Sequence, residues 1–253
     1  GGDSTDDWQH HSVPALIRAH SLIRSFKGVD ADRTAVTGIS WGGYMTCIVA
    51  SVDHRFKAAV PVYGCGFLYD GESVQRPAID ALSPEQRTEW ISKYDPSAWL
   101  PECRVPILFV NGTNDIHYPL VSYSRSYGLV KSQKQVRIKV KMRHSHQAGW
   151  EPNEIGRFID HYLLGEKSLP QLGNPASNDG MASVEVMTEV GLESAQFHYT
   201  TGTNRLAERN WSSIPATIKG VVLSAKVPKE ATIWMFSATD SQGGMVSTDV
   251  VFP

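Results

Sequence analysis

The run Arg33-Thr34-Ala35-Val36-Thr37-Gly38-Ile39-Ser40-Trp41-Gly42-Gly43-Tyr44 decides how this chain folds. Its first part is strand-like, a serine framed by glycines follows, and Tyr44-Met45-Thr46-Cys47-Ile48-Val49-Ala50 then reads as a buried helix. A strand that turns this sharply into a helix holds the serine in a strained backbone conformation. Residues beside it must lack side chains that would collide across the turn, and Gly38 and Gly42 meet that need. The layout is that of a nucleophile elbow. In it the backbone N–H of Trp41 and the positive end of the helix face an oxyanion formed at Ser40.

Outward from this run the chain alternates. Apolar residues at Val13, Leu16, Ile17, Ala19, Leu22, Ile23 and Phe26 have helical spacing and predict a core-facing helix over Trp8–Phe26. Strands are expected at Ala35–Ile39, Ala58–Tyr63, Val105–Asn111 and Val136–Met142. Helical segments are expected at Gly43–Ser51, Pro119–Val130 and Pro152–Leu164, and such alternation means a mostly parallel α/β sheet. Between Tyr69 and Leu100 an insertion longer than a minimal crossover could cover a pocket as a lid. Residues 165–180 are rich in Gly, Pro, Ser and Asn. The division read here is an α/β domain over 1–168, a linker over 169–180 and a small immunoglobulin- or fibronectin-like β-sandwich over 181–253.

Composition narrows the partners. The chain has 253 residues, 41% of them hydrophobic, and 24 basic against 26 acidic side chains with no basic block, so neither nucleic acid nor an anionic membrane is an expected partner. No apolar stretch reaches the length of a membrane span, and Gly1–Asp7 lacks the basic and apolar regions of a signal peptide. Cys47, Cys65 and Cys103 have no metal-type spacing and imply no disulfide framework.

A serine nucleophile needs a base, and the base needs an orienting carboxylate. In α/β-hydrolases these follow in chain order serine, acid, histidine, at the ends of later strands. Asp115 lies in the loop Gly112-Thr113-Asn114-Asp115-Ile116-His117-Tyr118-Pro119, directly after a buried strand, where the acid belongs. Past the next strand comes Arg143-His144-Ser145-His146-Gln147-Ala148-Gly149-Trp150. Placement at a loop tip favours His146 as the base, with His144 the alternative. The two histidines with His117 could instead ligate a metal, but no acidic or cysteine cluster completes a shell, and neither metal nor cofactor is expected. Tyr44, Tyr63, Tyr118 and Trp150 fall near the predicted strand ends as candidate substrate-binding aromatics.

Together, Gly-Ile-Ser-Trp-Gly-Gly-Tyr at 38–44, Asp53-His54-Arg55-Phe56, Pro61–Phe67, Asn111–Asp115 and His144-Ser145-His146 resemble bacterial α/β-hydrolases related to acetyl xylan esterases and dienelactone hydrolases, near the prolyl oligopeptidase-like group. The resemblance runs from about Trp8 to Leu164. It implies a serine esterase acting on an acylated small molecule or carbohydrate, and an exported protein. A serine peptidase with the same triad is the alternative within the enzyme class; a non-catalytic carbohydrate- or partner-binding remnant is the alternative outside it. Such hydrolases carry further strands before the elbow, whereas here a single helical segment precedes Ala35. The strand ending at Ile39 is therefore expected at an unpaired apolar edge, to be completed by an N-terminal segment or a second chain.

Overall fold

A computed structural model describes residues 7–252; the N-terminal residues before Asp7 lie outside it. The α/β portion runs α1 (Trp8–Arg24), β1 (Ala35–Ile39), α2 (Trp41–Val52), β2 (Ala58–Val62), α3 (Arg76–Asp80), α4 (Pro84–Tyr94), β3 (Ile107–Gly112), α5 (Leu120–Leu129), β4 (Lys134–Lys139), α6 (His146–Trp150) and α7 (Glu154–Leu164). Strands β1 to β4 are parallel and neighbour one another in sequence order. Every residue of β2 and β3 is buried. That is what continuous apolar runs such as Ala58-Ala59-Val60-Pro61-Val62 require when both faces of a parallel sheet are covered.

The remaining strands are β5 (Gln171–Leu172), β6 (Ala176–Asn178), β7 (Met181–Met187), β8 (Leu192–Thr200), β9 (Ser212–Pro215), β10 (Thr217–Lys219), β11 (Val222–Lys226), β12 (Ile233–Asp240) and β13 (Met245–Ser247). Four of these extend the first sheet, whose full order is β1-β2-β3-β4-β13-β12-β8-β9. The junction is antiparallel, Ser247 against Val136, and Ile138 N–H donates to Ser247 Oγ at 2.9 Å. Strands β10, β11, β7 and β5 form a second sheet, with β6 on β7. Val184, Val186 and Leu223 of this sheet pack against Phe197, Trp234 and Phe236 of the first. The stretch expected as a linker thus holds two short strands, both paired with β7. The run Ala216–Ser224 forms two strands joined at Gly220-Val221, Gly220 supplying the φ of 61° that a tight hairpin needs.

Charged groups fasten the extension to the α/β portion. Buried Arg137 of β4 and Glu154 of α7 approach to 2.9 Å, and Glu154 Oε1 also accepts from Met245 N–H. Arg157 of α7 forks onto both oxygens of Asp240, at 3.0 and 2.8 Å. The insertion after β2 is fastened as well. The carboxylate of Asp95, wholly buried, accepts from the N–H groups of Phe67, Leu68 and Ser97, and Tyr44 Oη donates to Tyr94 O at 2.7 Å.

Helix α1 departs from expectation. Leu16, Leu22 and Ile23, with Phe26 just beyond, are each more than 40% exposed, while the inward positions include Gln9 and His20. A polar anchor holds it: the His20 ring bridges Asp53 Oδ2 (2.7 Å) and Thr34 Oγ1 (2.8 Å) and stacks on Phe56. Burial opposes the Asp53 charge, but hydrogen bonds from Arg55 and His20 outweigh it and hold the carboxyl below the ordinary range. Beside α1, β1 is the edge of the sheet and pairs only with β2 among the described residues.

Candidate active site

Ser40 sits between β1 and α2 with φ 59° and ψ −117°, a conformation that disfavours any side chain and that the surrounding packing must enforce. A Cβ on Gly38 would lie 2.5 Å from the backbone of Gly42, so position 38 admits only glycine. A Cβ on Gly42 would meet nothing within 4 Å, and the requirement expected there falls instead on Gly43 and Gly64. Cβ atoms on that pair would lie 2.3 Å from Val62 O and 1.9 Å from Gly43 C respectively. Helix α2 therefore starts in backbone contact with the end of β2, and this contact fixes the direction in which Ser40 projects.

The loop after β3 delivers Asp115, its side chain fully buried. Asp115 Oδ1 accepts from the N–H groups of His117 (2.8 Å) and Tyr118 (3.0 Å), and Oδ2 pairs with His144 Nδ1 at 2.7 Å. His144 Nε2 lies 3.0 Å from Ser40 Oγ. Both Asp115 oxygens act as acceptors, so Nδ1 carries the proton and Nε2 is left to accept from the serine hydroxyl. The histidine that meets Ser40 and Asp115 is thus His144, and the preference for His146 is corrected. Ser145 caps α6, its Oγ accepting from Ala148 N–H at 3.1 Å. His146 becomes the first residue of that helix and is exposed, while His144, the residue before the cap, turns inward. With both ring nitrogens engaged, His144 has none to offer a metal.

The aromatics divide by burial. Tyr44, Tyr63 and Tyr118 have no exposed surface, so none presents a face to a sugar ring. Tyr44 is committed to Tyr94. Tyr63, at φ 64° after β2, stacks on the His144 ring at 4.4 Å and donates to Arg143 O at 2.5 Å, so it sets the plane of the imidazole. Tyr118 lies nearly parallel to the same ring at 5.9 Å. Trp150 alone of the four is exposed, at the end of α6, whose Gly149 abuts Ile39 and Tyr63. Trp41 is the first residue of α2, with its indole edge-on to Trp8 and Tyr44.

Two supporting roles, those of Asn114 and His117, were not read from the sequence. Asn114 Nδ2 donates to Ala207 O (2.8 Å) and Arg209 O (2.9 Å), tying the acid loop to the loop between β8 and β9. The His117 ring stands 4.6 Å from His144, its carbonyl held by Ser73 Oγ. Asparagine in a Gly/Asn turn signals local geometry, and nothing in the sequence around it announces a partner so far along the chain.

Comparison with known proteins bears on the fold and the family. Acetyl xylan esterase from Paenibacillus sp. R4 superposes with a TM-score of 0.55 at 24% identity, over 64% of this chain and 55% of that one. The acylaminoacyl peptidase of Pyrococcus horikoshii gives 0.52 at 21% identity, over 61% of this chain and 28% of that one. A puromycin hydrolase gives 0.51 at 17%, over 62% and 26%. The chain thus spans about half the length of the esterase and less of the peptidase, and the shared feature is the α/β-hydrolase fold. The sequence signature of the prolyl oligopeptidase family matches residues 3–163, more than half of the chain. With that match over more than half of its length, the chain belongs to the prolyl oligopeptidase family.

Proposed function

We propose that this chain is the catalytic portion of a serine esterase that removes a small acyl group, such as acetyl, from a carbohydrate or another small alcohol. The observation that carries the reading is the unbroken hydrogen-bonded line Asp115–His144–Ser40. In the reaction Ser40 Oγ attacks the acyl carbonyl while its proton passes to His144 Nε2. The carbonyl π pair moves to oxygen and is met by the Trp41 N–H at the start of α2. Collapse restores the carbonyl and expels the alcohol, which takes the proton from His144. Water then repeats the sequence on the acyl-enzyme and releases the acid. The exposed Trp150 is the aromatic we assign to stacking on the alcohol portion.

In this reading a further strand, from an N-terminal segment or a second chain, pairs along β1. The support is that β1 pairs only with β2 among the described residues, together with the exposed apolar residues of α1 and Trp41. The family match favours one second reading, a peptidase using the same three residues. Hydrolysis of p-nitrophenyl acetate by this chain, abolished in Ser40→Ala, is the expected result. Turnover of peptide anilides in preference to acyl esters would select the peptidase, and no Ser40-dependent turnover of either would leave a binding remnant.

A further inference from the structure

Tyr118 carries a buried polar atom beside the reacting groups. Its ring is fully buried, its backbone is held from both sides, by Asp115 Oδ1 at the N–H and by Asn111 Nδ2 at the carbonyl, and its ring plane is nearly parallel to that of His144. Yet the hydroxyl makes no hydrogen bond among the described residues. A buried hydroxyl without a partner is destabilising, and phenylalanine would fill the same space without it. The Tyr118 ring runs nearly parallel to His144 at 5.9 Å and His144 Nε2 reaches Ser40 Oγ at 3.0 Å, which makes Ser40 a neighbouring hydroxyl to the Tyr118 phenol, with no hydrogen bond formed between them.

We propose that Tyr118 is a further catalytic residue, whose phenol donates a hydrogen bond to Ser40 Oγ as charge develops there during attack. This rests on the serine-hydrolase reading above. Ser40 Oγ uses its one hydrogen toward His144 Nε2, which leaves its lone pairs open to a donor. Burial, together with the neighbouring Cys65, raises the phenol well above the usual tyrosine range, so it stays protonated and acts as donor. The resting hydroxyl is a weak acceptor, and the bond tightens as the proton leaves for His144. That difference between ground state and transition state is what accelerates a step. The donor is distinct from Trp41 N–H. Trp41 faces the carbonyl oxygen, whereas Tyr118 faces the nucleophile itself.

The test compares wild-type chain, Tyr118→Phe and Ser40→Ala by the rate of labelling with a fluorophosphonate. In that reaction Ser40 Oγ forms a bond to phosphorus, fluoride leaves and the serine proton ends on His144. Labelling of Tyr118→Phe is expected to be slower by about tenfold to a hundredfold, somewhat less than removal of an oxyanion-hole donor. Its melting temperature is expected to equal or exceed that of the wild type, because the substitution removes an unsatisfied buried hydroxyl. With p-nitrophenyl acetate the loss is expected in kcat at unchanged KM. Labelling of Tyr118→Phe within about twofold of wild type overturns the proposal, and so does slow labelling accompanied by a lowered melting temperature, which marks a packing role. Wild-type chain that labels no faster than Ser40→Ala overturns the serine-hydrolase reading and this proposal with it.

Discussion

His198, on β8, offers a quantitative test of how the antiparallel extension is held together. Its Nδ1 lies 2.7 Å from Ser213 Oγ on β9 and its Nε2 2.8 Å from Ser237 Oγ on β12, so one imidazole spans three strands. Burial lowers its pKa from 6.5 to about 4, because two serine hydroxyls do little to offset the lost hydration of an imidazolium. The folded state therefore prefers neutral His198, whereas the unfolded chain binds a proton below pH 6.5. Stability from this group is complete above that pH. It falls as pH drops and stops falling near pH 4, where both states are protonated. The distance from 6.5 to about 4, at about 1.36 kcal/mol per pH unit, corresponds to about 3 kcal/mol. Other carboxylates titrate in the same window, so the measurement is a difference. Urea unfolding of wild type and His198→Gln is compared at pH 7 and pH 4, glutamine keeping hydrogen-bonding capacity toward the serines. The wild type should lose about 3 kcal/mol more than the variant between the two pH values. An excess loss below about 1 kcal/mol would refute the reasoning and mean that His198 is hydrated or charged in the fold.

The assignment of the base is tested by exchanging the two histidines separately. His144→Gln should lower kcat/KM for p-nitrophenyl acetate by about 10⁴-fold or more, and His146→Gln by less than about threefold; the reverse order would restore His146 as the base. The glycines give a test of packing. Gly64→Ala puts a methyl 1.9 Å from the backbone of Gly43 and should destabilise by about 3 kcal/mol or more in chemical unfolding, with activity lost as Ser40 is displaced. Gly42→Ala, with open space around it and a helical position, should be neutral or stabilising by up to about 1 kcal/mol. Equal effects at the two positions would contradict the backbone contact between α2 and β2.

The elbow and the acid were legible because each is announced by its neighbours: a strand, a glycine-flanked serine and an apolar helix in one case, a buried strand and a Gly/Asn turn in the other. The base was not, because the choice between His144 and His146 turns on which residue ends the loop. That is settled by the Ser145 cap, and Ser145 lacks the glutamate or glutamine three residues on that completes a capping box. Aromatic residues at strand ends were visible, but the burial of Tyr44 and Tyr63 comes with partners at Tyr94 and Arg143, far away in the chain. Periodicity put Leu16, Leu22 and Ile23 on the inner face of α1. The His20–Asp53 anchor outweighs that pattern and turns them outward. Strands β5, β6 and β9 are short, mostly exposed and polar, so they carry little alternation to read.

The clamp of Asn114 on the carbonyls of Ala207 and Arg209 has a consequence for biosynthesis. The carboxylate that orients His144 hangs on a loop whose support is synthesised some ninety residues later, and β4 receives its neighbour later still, from Ser247. Ribosomes add residues in order, and a segment can dock only once it has emerged. Ser40, Asp115 and His144 will all have left the tunnel while the floor beneath the acid is still unmade. A growing chain therefore carries Ser40, Asp115 and His144 without the clamp on the acid loop until Ala207 and Arg209 have emerged, and the strand that flanks β4 at Ser247 follows later still.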